Sequence, residues 1–291
     1  MGLLTSDPAH PLLAGAARVW EAAGDTVVAL DPGAGAASGP ATRPGVDLCL
    51  LKARTPEALA LARAWEAAGV PVVNGAGATE LVQDRVAMAR VAREAGLPFA
   101  AVRAYPDPGA AARAETARGS GPLVVKSRFS RRGDLVARVE SGAGLAALAR
   151  GAWRAEPVVV QEFAGGDGFD HKLWSIGGRL FAAVRRSELS PGGRDAGRVV
   201  DPAGLPAAWA RWVARAGTAF GLSVFGVDLI DPGDGREPVL VDVNAFPGVR
   251  GQAGAPEALV DLVARVRSSA SGGTGPRAGA GGREGAEPVT R

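Results

Sequence analysis

Several residue types are nearly missing from this 291-residue chain, and each shortage removes a class of function. One cysteine, Cys49, lies in the apolar run Val46-Asp47-Leu48-Cys49-Leu50-Leu51. A lone buried thiol excludes a disulfide framework, fits a reducing compartment and makes a poor nucleophile. Histidine is limited to His10 and His171; His10 is expected in a loop, and His171 is expected beside whatever cleft Lys172 serves rather than as a catalytic base. No run approaches the roughly 18 apolar residues of a membrane helix, and the N-terminus lacks a basic segment followed by an apolar one, so neither a membrane span nor a signal peptide is expected. The expected location is cytoplasmic. The formal charge is only +3, with arginines scattered rather than interleaved with aromatics, which argues against nucleic acid as a partner.

The scarcity of lysine is the most useful of these shortages. Of 33 basic residues only Lys52, Lys126 and Lys172 are lysines. A chain that uses arginine for a generic cation retains lysine where a compact, mobile point charge is needed, for example against phosphates.

Alternating apolar runs and Ala-rich helical patterns at 2–5, 14–23, 26–30, 47–51, 56–68 and 70–73 have a βαβαβ rhythm, which argues for a small parallel sheet covered on both faces. Residues 33–45 are rich in Gly, Ala and Pro and read as a surface loop. No G-x-G-x-x-G follows the first strand, so a dinucleotide site there is unsupported. A second unit starts near Thr79, whose hydroxyl is expected to cap a helix running through Asp84, Arg85, Met88 and Val91. Strand patterns at 123–126, 158–163, 173–176 and 180–184, with helical patterns at 144–153 and 206–220, give an α+β layout with antiparallel pairs. The fold class is therefore α/β followed by α+β. The expected units are 1–78, 79–267 and a disordered Gly-, Ala- and Arg-rich tail at 268–291.

Two acidic strands stand near the C-terminal end, Gly226-Val227-Asp228-Leu229-Ile230 and Val239-Leu240-Val241-Asp242-Val243-Asn244, joined by a turn-rich segment. Side chains alternate across a strand, so Asp242 and Asn244 share a face, and folding about the turn brings Asp228 within about one register step of Asp242. Carboxylates interrupting apolar runs need a positive partner. Hard oxygen ligands suit Mg2+, which takes its other ligands from water and phosphates. The plainer alternative is two aspartates at the mouth of an ordinary hairpin. Upstream, Lys126 ends a strand before the polar loop Ser127-Arg128-Phe129-Ser130-Arg131-Arg132-Gly133, which can close over phosphates. Gln161-Glu162-Phe163 opens into Ala164-Gly165-Gly166-Asp167-Gly168, whose main chain can pair with a base edge.

The ordered set Asp84-Arg85, Lys126, Gln161-Glu162-Phe163, Lys172, Arg185-Arg186, Asp228 and Asp242-Val243-Asn244 resembles the ATP-grasp superfamily over about residues 1–267. The resemblance implies a small Rossmann-like domain ahead of a two-lobed ATP-grasp domain. It further implies that Lys126, Asp170 and Lys172 serve the ATP site and that Gln161, Glu162 and Phe163 contact adenine, partly through main chain. Asp228, Asp242 and Asn244 would bind Mg2+ or Mn2+ and, with Arg186, carry catalysis. Lys52, Arg186 and Arg250 would meet a small anionic substrate. Superfamily relatives often dimerise, although no segment here marks an interface. Three positions depart from the pattern: Arg128, Arg131 and Arg132 occupy a loop commonly dominated by glycine, Asp242 stands for the usual Glu of the ligases, and Arg85 for a common lysine. Within the superfamily the chain is most similar to RimK-type carboxylate-amine ligases, which release ADP. The rival resemblance is to the inositol trisphosphate 5/6-kinase branch, which keeps Asp at this position and phosphorylates a hydroxyl. A non-catalytic ATP-binding regulator is the third alternative.

Overall fold

The computed structural model describes residues 1–33, 45–131, 133–166, 168–190, 197–233 and 235–271, of which the side chain of 271 is not described. The expected tail from 272 onward, most of the loop at 33–45, and Arg132, Asp167 and Asp234 lie outside those residues.

The N-terminal unit is a parallel four-stranded sheet ordered β2-β1-β3-β4. Its elements are β1 (Gly2–Leu4), α1 (Pro11–Ala22), β2 (Val28–Leu30), β3 (Cys49–Leu51), α2 (Pro56–Ala67) and β4 (Val72–Val73). The residues of β1 and β3 are buried throughout, which is why those strands read as continuous apolar runs, whereas the edge strand β2 is partly exposed. Leu3 and Leu50 pack toward α1, whereas Leu4, Cys49 and Leu51 pack toward α2. Burial pushes the Cys49 thiol up to about 12.

The two helices that follow correct the expected cap. Residue 79 lies inside α3 (Ala76–Leu81), and Thr79 is buried without a hydrogen-bond partner for its hydroxyl. The capping role belongs to Asp84, whose carboxylate accepts the Val86 N–H at the start of α4 (Arg85–Glu94).

One lobe is the antiparallel sheet β5-β8-β6-β7, made of β5 (Arg103–Tyr105), β6 (Leu123–Ser127), β7 (Val136–Val139) and β8 (Val158–Glu162). It is backed by α5 (Pro108–Arg118) and α6 (Leu145–Leu148). The helix expected at 144–153 is therefore only a short one at 145–148, because Gly142, Gly144 and Gly151 disfavour helix on either side. The second lobe is the five-stranded sheet β11-β10-β9-β12-β13. It contains β9 (Phe169–Ile176), β10 (Arg179–Arg186), β11 (Arg198–Val200), β12 (Val224–Ile230) and β13 (Val239–Ala245), backed by α4 and α7 (Ala207–Phe220).

The last helix, α8 (Ala255–Ser271), returns to the N-terminal unit. Leu259, Leu262 and Val263 share a core with Leu12, Leu13 and Trp20 of α1. The helices meet so closely at Gly15 that a Cβ there would lie 2.7 Å from the Pro256 ring. Residues 268–271, expected in the tail, complete this helix. Among the described residues no helix is long and apolar enough to cross a membrane.

Candidate nucleotide and substrate site

A chamber of about 890 Å3 opens between the two lobes. One wall comes from β6, β7 and β8. Leu123 and Val125 of β6 point into the core beneath α5, so alternation turns Val124 and Lys126 toward the chamber. The opposite wall comes from β9, β12 and β13. Lys172 of β9 pairs in register with Asp228 of β12, and Asp228 pairs with Asp242 of β13. Three chamber-facing charges therefore stand in one cross-strand row, with Asn244 one step along β13 beside Gly226. Gly226 is required by close approach, since a Cβ would sit 2.8 Å from Trp174 and 3.2 Å from Pro247.

The register of the hairpin shifts between Asp228 and Leu229. Val241 is thereby left out of the residue pairing, and its carbonyl turns to accept a hydrogen bond of 3.0 Å from the Lys126 ammonium on the facing lobe. Lys126 is buried; its desolvation lowers its pKa, and the Asp242 carboxylate works against that shift. The Lys172 ammonium forms an ion pair with Asp228 and lies 3.7 Å from Asp170. Buried Arg85 donates 2.6 and 2.7 Å hydrogen bonds to the Ser127 carbonyl and Asp134, and its other terminal nitrogen lies 3.9 Å from Asp242. Arg85 is thus a strut joining α4, β6 and the acidic hairpin.

Two carboxylates and one amide at adjacent positions match the oxygen chemistry of Mg2+ that completes its shell with water and phosphate. Among the described residues no group of three His, Cys, Asp or Glu could enclose an ion unaided. The fit therefore holds for an ion shared with a phosphate ligand.

Gln161 is buried on the chamber face of β8, while the Glu162 carboxylate is largely exposed and 3.5 Å from Arg103. The Phe163 N–H donates to the Pro122 carbonyl, so that part of the expected main-chain edge is already engaged. Arg186 lines the chamber at the end of β10 with its guanidinium 5.6 Å from the Phe169 ring. Two arginines of the loop are already paired: Arg128 forms a bidentate pair with Asp84, and Arg131 with Glu156.

Ten of the residues singled out in the sequence thus line the chamber: Lys126, Gln161, Glu162, Phe163, Asp170, Lys172, Arg186, Asp228, Asp242 and Asn244. Lys52 and Arg250 do not. They gather instead with His10 at the carboxyl ends of β1 and β3, where Lys52 donates to the Phe246 carbonyl at 3.1 Å. Phe246 has φ of 44°, in the left-handed region. At Gly248 a Cβ would lie 2.8 Å from His10 Nε2 and 3.7 Å from Arg250 Nε. His10, at the end of the loop before α1 as expected, also caps that helix, Nδ1 accepting the Leu12 N–H at 3.3 Å. His171 does not border the cleft, since its ring packs edge-on against Trp209 at 4.8 Å, behind the sheet. Arg54, which sequence reading passed over, is the one chamber-lining residue from the N-terminal unit among those described. Its signal was its position two residues beyond Lys52 at the end of β3.

No protein-family model matches the chain, and no curated protein matches it. Among solved structures, the crystal structure of a RimK-domain ATP-grasp protein from Sphaerobacter thermophilus aligns with a TM-score of 0.70 at 26% identity, covering 90% of this chain and 98% of that one. The chain has the ATP-grasp fold. D-cycloserine synthetase DcsG aligns with a TM-score of 0.70 at 18% identity, covering 91% of this chain and 99% of that one. The ATP-grasp ligase PsnB, complexed with a minimal precursor, aligns at 0.65 and 18%, covering 91% and 98%. One PsnB structure contains Mg and ADP. The last two likenesses show the ATP-grasp fold alone, whereas the chamber described above rests on this chain's own residues.

Proposed function

We propose that the protein is an ATP- and Mg2+-dependent ligase that activates a small carboxylate as an acyl phosphate for attack by an amine, releasing ADP and phosphate. The observation that carries this reading is the cross-strand row Lys172–Asp228–Asp242 facing Lys126 across the chamber. Such an arrangement suits phosphoryl transfer, in which positioning and charge neutralisation do most of the catalysis and no protein nucleophile is needed. Lys126 and Lys172 would hold phosphate oxygens. Asp228, Asp242 and Asn244 would hold Mg2+, which supplies charge neutralisation at those oxygens. The substrate carboxylate would attack the γ-phosphorus as the bond to the β-phosphate oxygen breaks. Arg54 and Arg186, at the chamber's edge, would hold that carboxylate. The similarity to ATP-grasp ligases supports the same choice.

A second reading, phosphorylation of a hydroxyl on a polyanionic substrate, draws on the basic group His10, Lys52 and Arg250 and on Asp242 in place of Glu. Measuring ADP release from Mg-ATP with pooled small carboxylates, in the presence of hydroxylamine, separates the two. Hydroxamate formed together with ADP is the expected result. ADP released only with a polyol phosphate would replace the ligase by the kinase, and ATP binding without any turnover would favour a regulator.

A further inference from the structure

The chamber has a charged station and a flat one. Across β6 and β7, Lys126 pairs with Val136 and Val124 with Arg138, while on the other side Val124 pairs with Gln161 of β8. Arg138, Val124 and Gln161 therefore form a single cross-strand row on the chamber face, two residues or roughly 6.6 Å along the strand from the Lys126 row. The opposite face of β7, with Ala137 and Val139, packs on the core.

Arg138 does not extend freely into solvent. Its guanidinium carbon lies 4.1 Å from the centroid of the Phe163 ring, and its Nε lies 3.0 Å from Glu140. Val124, Phe163 and Ile230 also line the chamber. A planar cation is thus held against an aromatic ring among apolar side chains, one station away from the charges that suit phosphates. An elongated ligand with an anionic end and a flat end matches that sequence of surfaces. Guanidinium groups stack on π systems and donate in their own plane, which an ammonium cannot do.

We propose that Arg138 is a nucleobase-binding residue, its guanidinium, held by Phe163, offering its other face as a stacking platform for the purine of ATP. The inference rests on the ATP-binding reading but is independent of whether a carboxylate or a hydroxyl receives the phosphoryl group. It is tested by calorimetric titration of the full chain with ATP and, separately, with inorganic tripolyphosphate, both in Mg2+ buffer, for wild type, R138L and R138K. The side chain is 35% exposed, so neither variant should unfold the protein. The expected result for R138L is about tenfold weaker ATP binding, with tripolyphosphate changed less than about twofold. R138K, which keeps the charge and loses the plane, should weaken ATP nearly as much. Unchanged ATP affinity in R138L, or equal losses for ATP and tripolyphosphate, would overturn the assignment. Wild-type protein that binds no ATP would overturn the nucleotide reading with it.

Discussion

Two groups of basic side chains in this molecule are built on opposite terms. In the chamber, Lys172 has Asp228 and Asp170 beside it, Lys126 has the Val241 carbonyl and the nearby Asp242 charge, and Arg85 has Asp134. At the ends of β1 and β3, by contrast, none of His10, Lys52 and Arg250 forms an ion pair with a carboxylate among the described residues. The consequence is visible in their titration. Burial, then the charges of Lys52 and Arg250, hold His10 down at about 4; burial, then Arg54, holds Lys52 down at about 8, with Asp7 the opposing charge. The chamber carries its own counter-charges, so a ligand there must exchange with groups already in place. In the second group Asp7 opposes only through its charge, without an ion pair, so an anionic co-substrate of the kind proposed above would complete it.

The largest effect should come from breaking the chamber's own balance. Asp242→Asn is expected to lower ADP release by about 10²- to 10³-fold, the loss typical of removing one electrostatic contributor to a preorganised site. The melting temperature should stay within a few degrees, because Asp242 is only at the edge of the Arg85 strut. Turnover equal to wild type would remove Asp242 from the site.

Next in size is the separation of the two groups. Lys52→Ala should raise the co-substrate KM about tenfold while leaving ATP affinity unchanged, consistent with loss of one charge-assisted hydrogen bond. If the ATP dissociation constant moves and the co-substrate KM does not, the two groups serve the same ligand and the contrast collapses.

The pH dependence sharpens the contrast further. Since only protonated Lys52 attracts an anion, co-substrate KM should climb as pH rises through about 8 in wild type and show no such inflection in Lys52→Ala. For stability the sign is the reverse of a stabilising pair. A folded pKa near 8 below the unfolded value of 10.5 means that the unfolded chain binds more protons between those limits, so stability rises with pH there. Lys52→Met should therefore melt higher than wild type near neutral pH. The smallest effect belongs to His10, whose folded value of about 4 lies below 6.5. Stability should fall as pH drops from about 6.5 to about 4. His10→Asn, which keeps an N-cap acceptor, should flatten that slope in urea titrations at pH 7 and pH 4.5.

Much of the chamber was legible beforehand because strand periodicity is local. The pattern around Lys126 placed it at the end of a strand, and the spacing of Asp228, Asp242 and Asn244 about a turn implied a shared face; the in-register pairing of Asp228 with Asp242 agrees. The failures were also local. Thr79 and Asp84 are both plausible caps by type, and only packing decided between them. His171, read as a neighbour of Lys172 along the chain, points to the other side of the sheet by the same alternation that aims Lys172 into the chamber. Nothing in the segment 255–271 announces that it closes the N-terminal unit, because the partner of α8 is α1, at the other end of the chain.

By itself, then, the sequence determined the alternation of elements, the shared face of β12 and β13, and the oxygen and ammonium chemistry brought to them. Those properties follow from covalent order and a period of two. Only the tertiary structure decided what crosses between elements. The register shift turns the Val241 carbonyl to Lys126, Arg85 braces Asp242 from another helix, the Arg138 guanidinium sits over the Phe163 ring, and Lys52 and Arg250 sit outside the chamber with His10. Each depends on contacts between residues distant in sequence, formed when packing brings separate elements together.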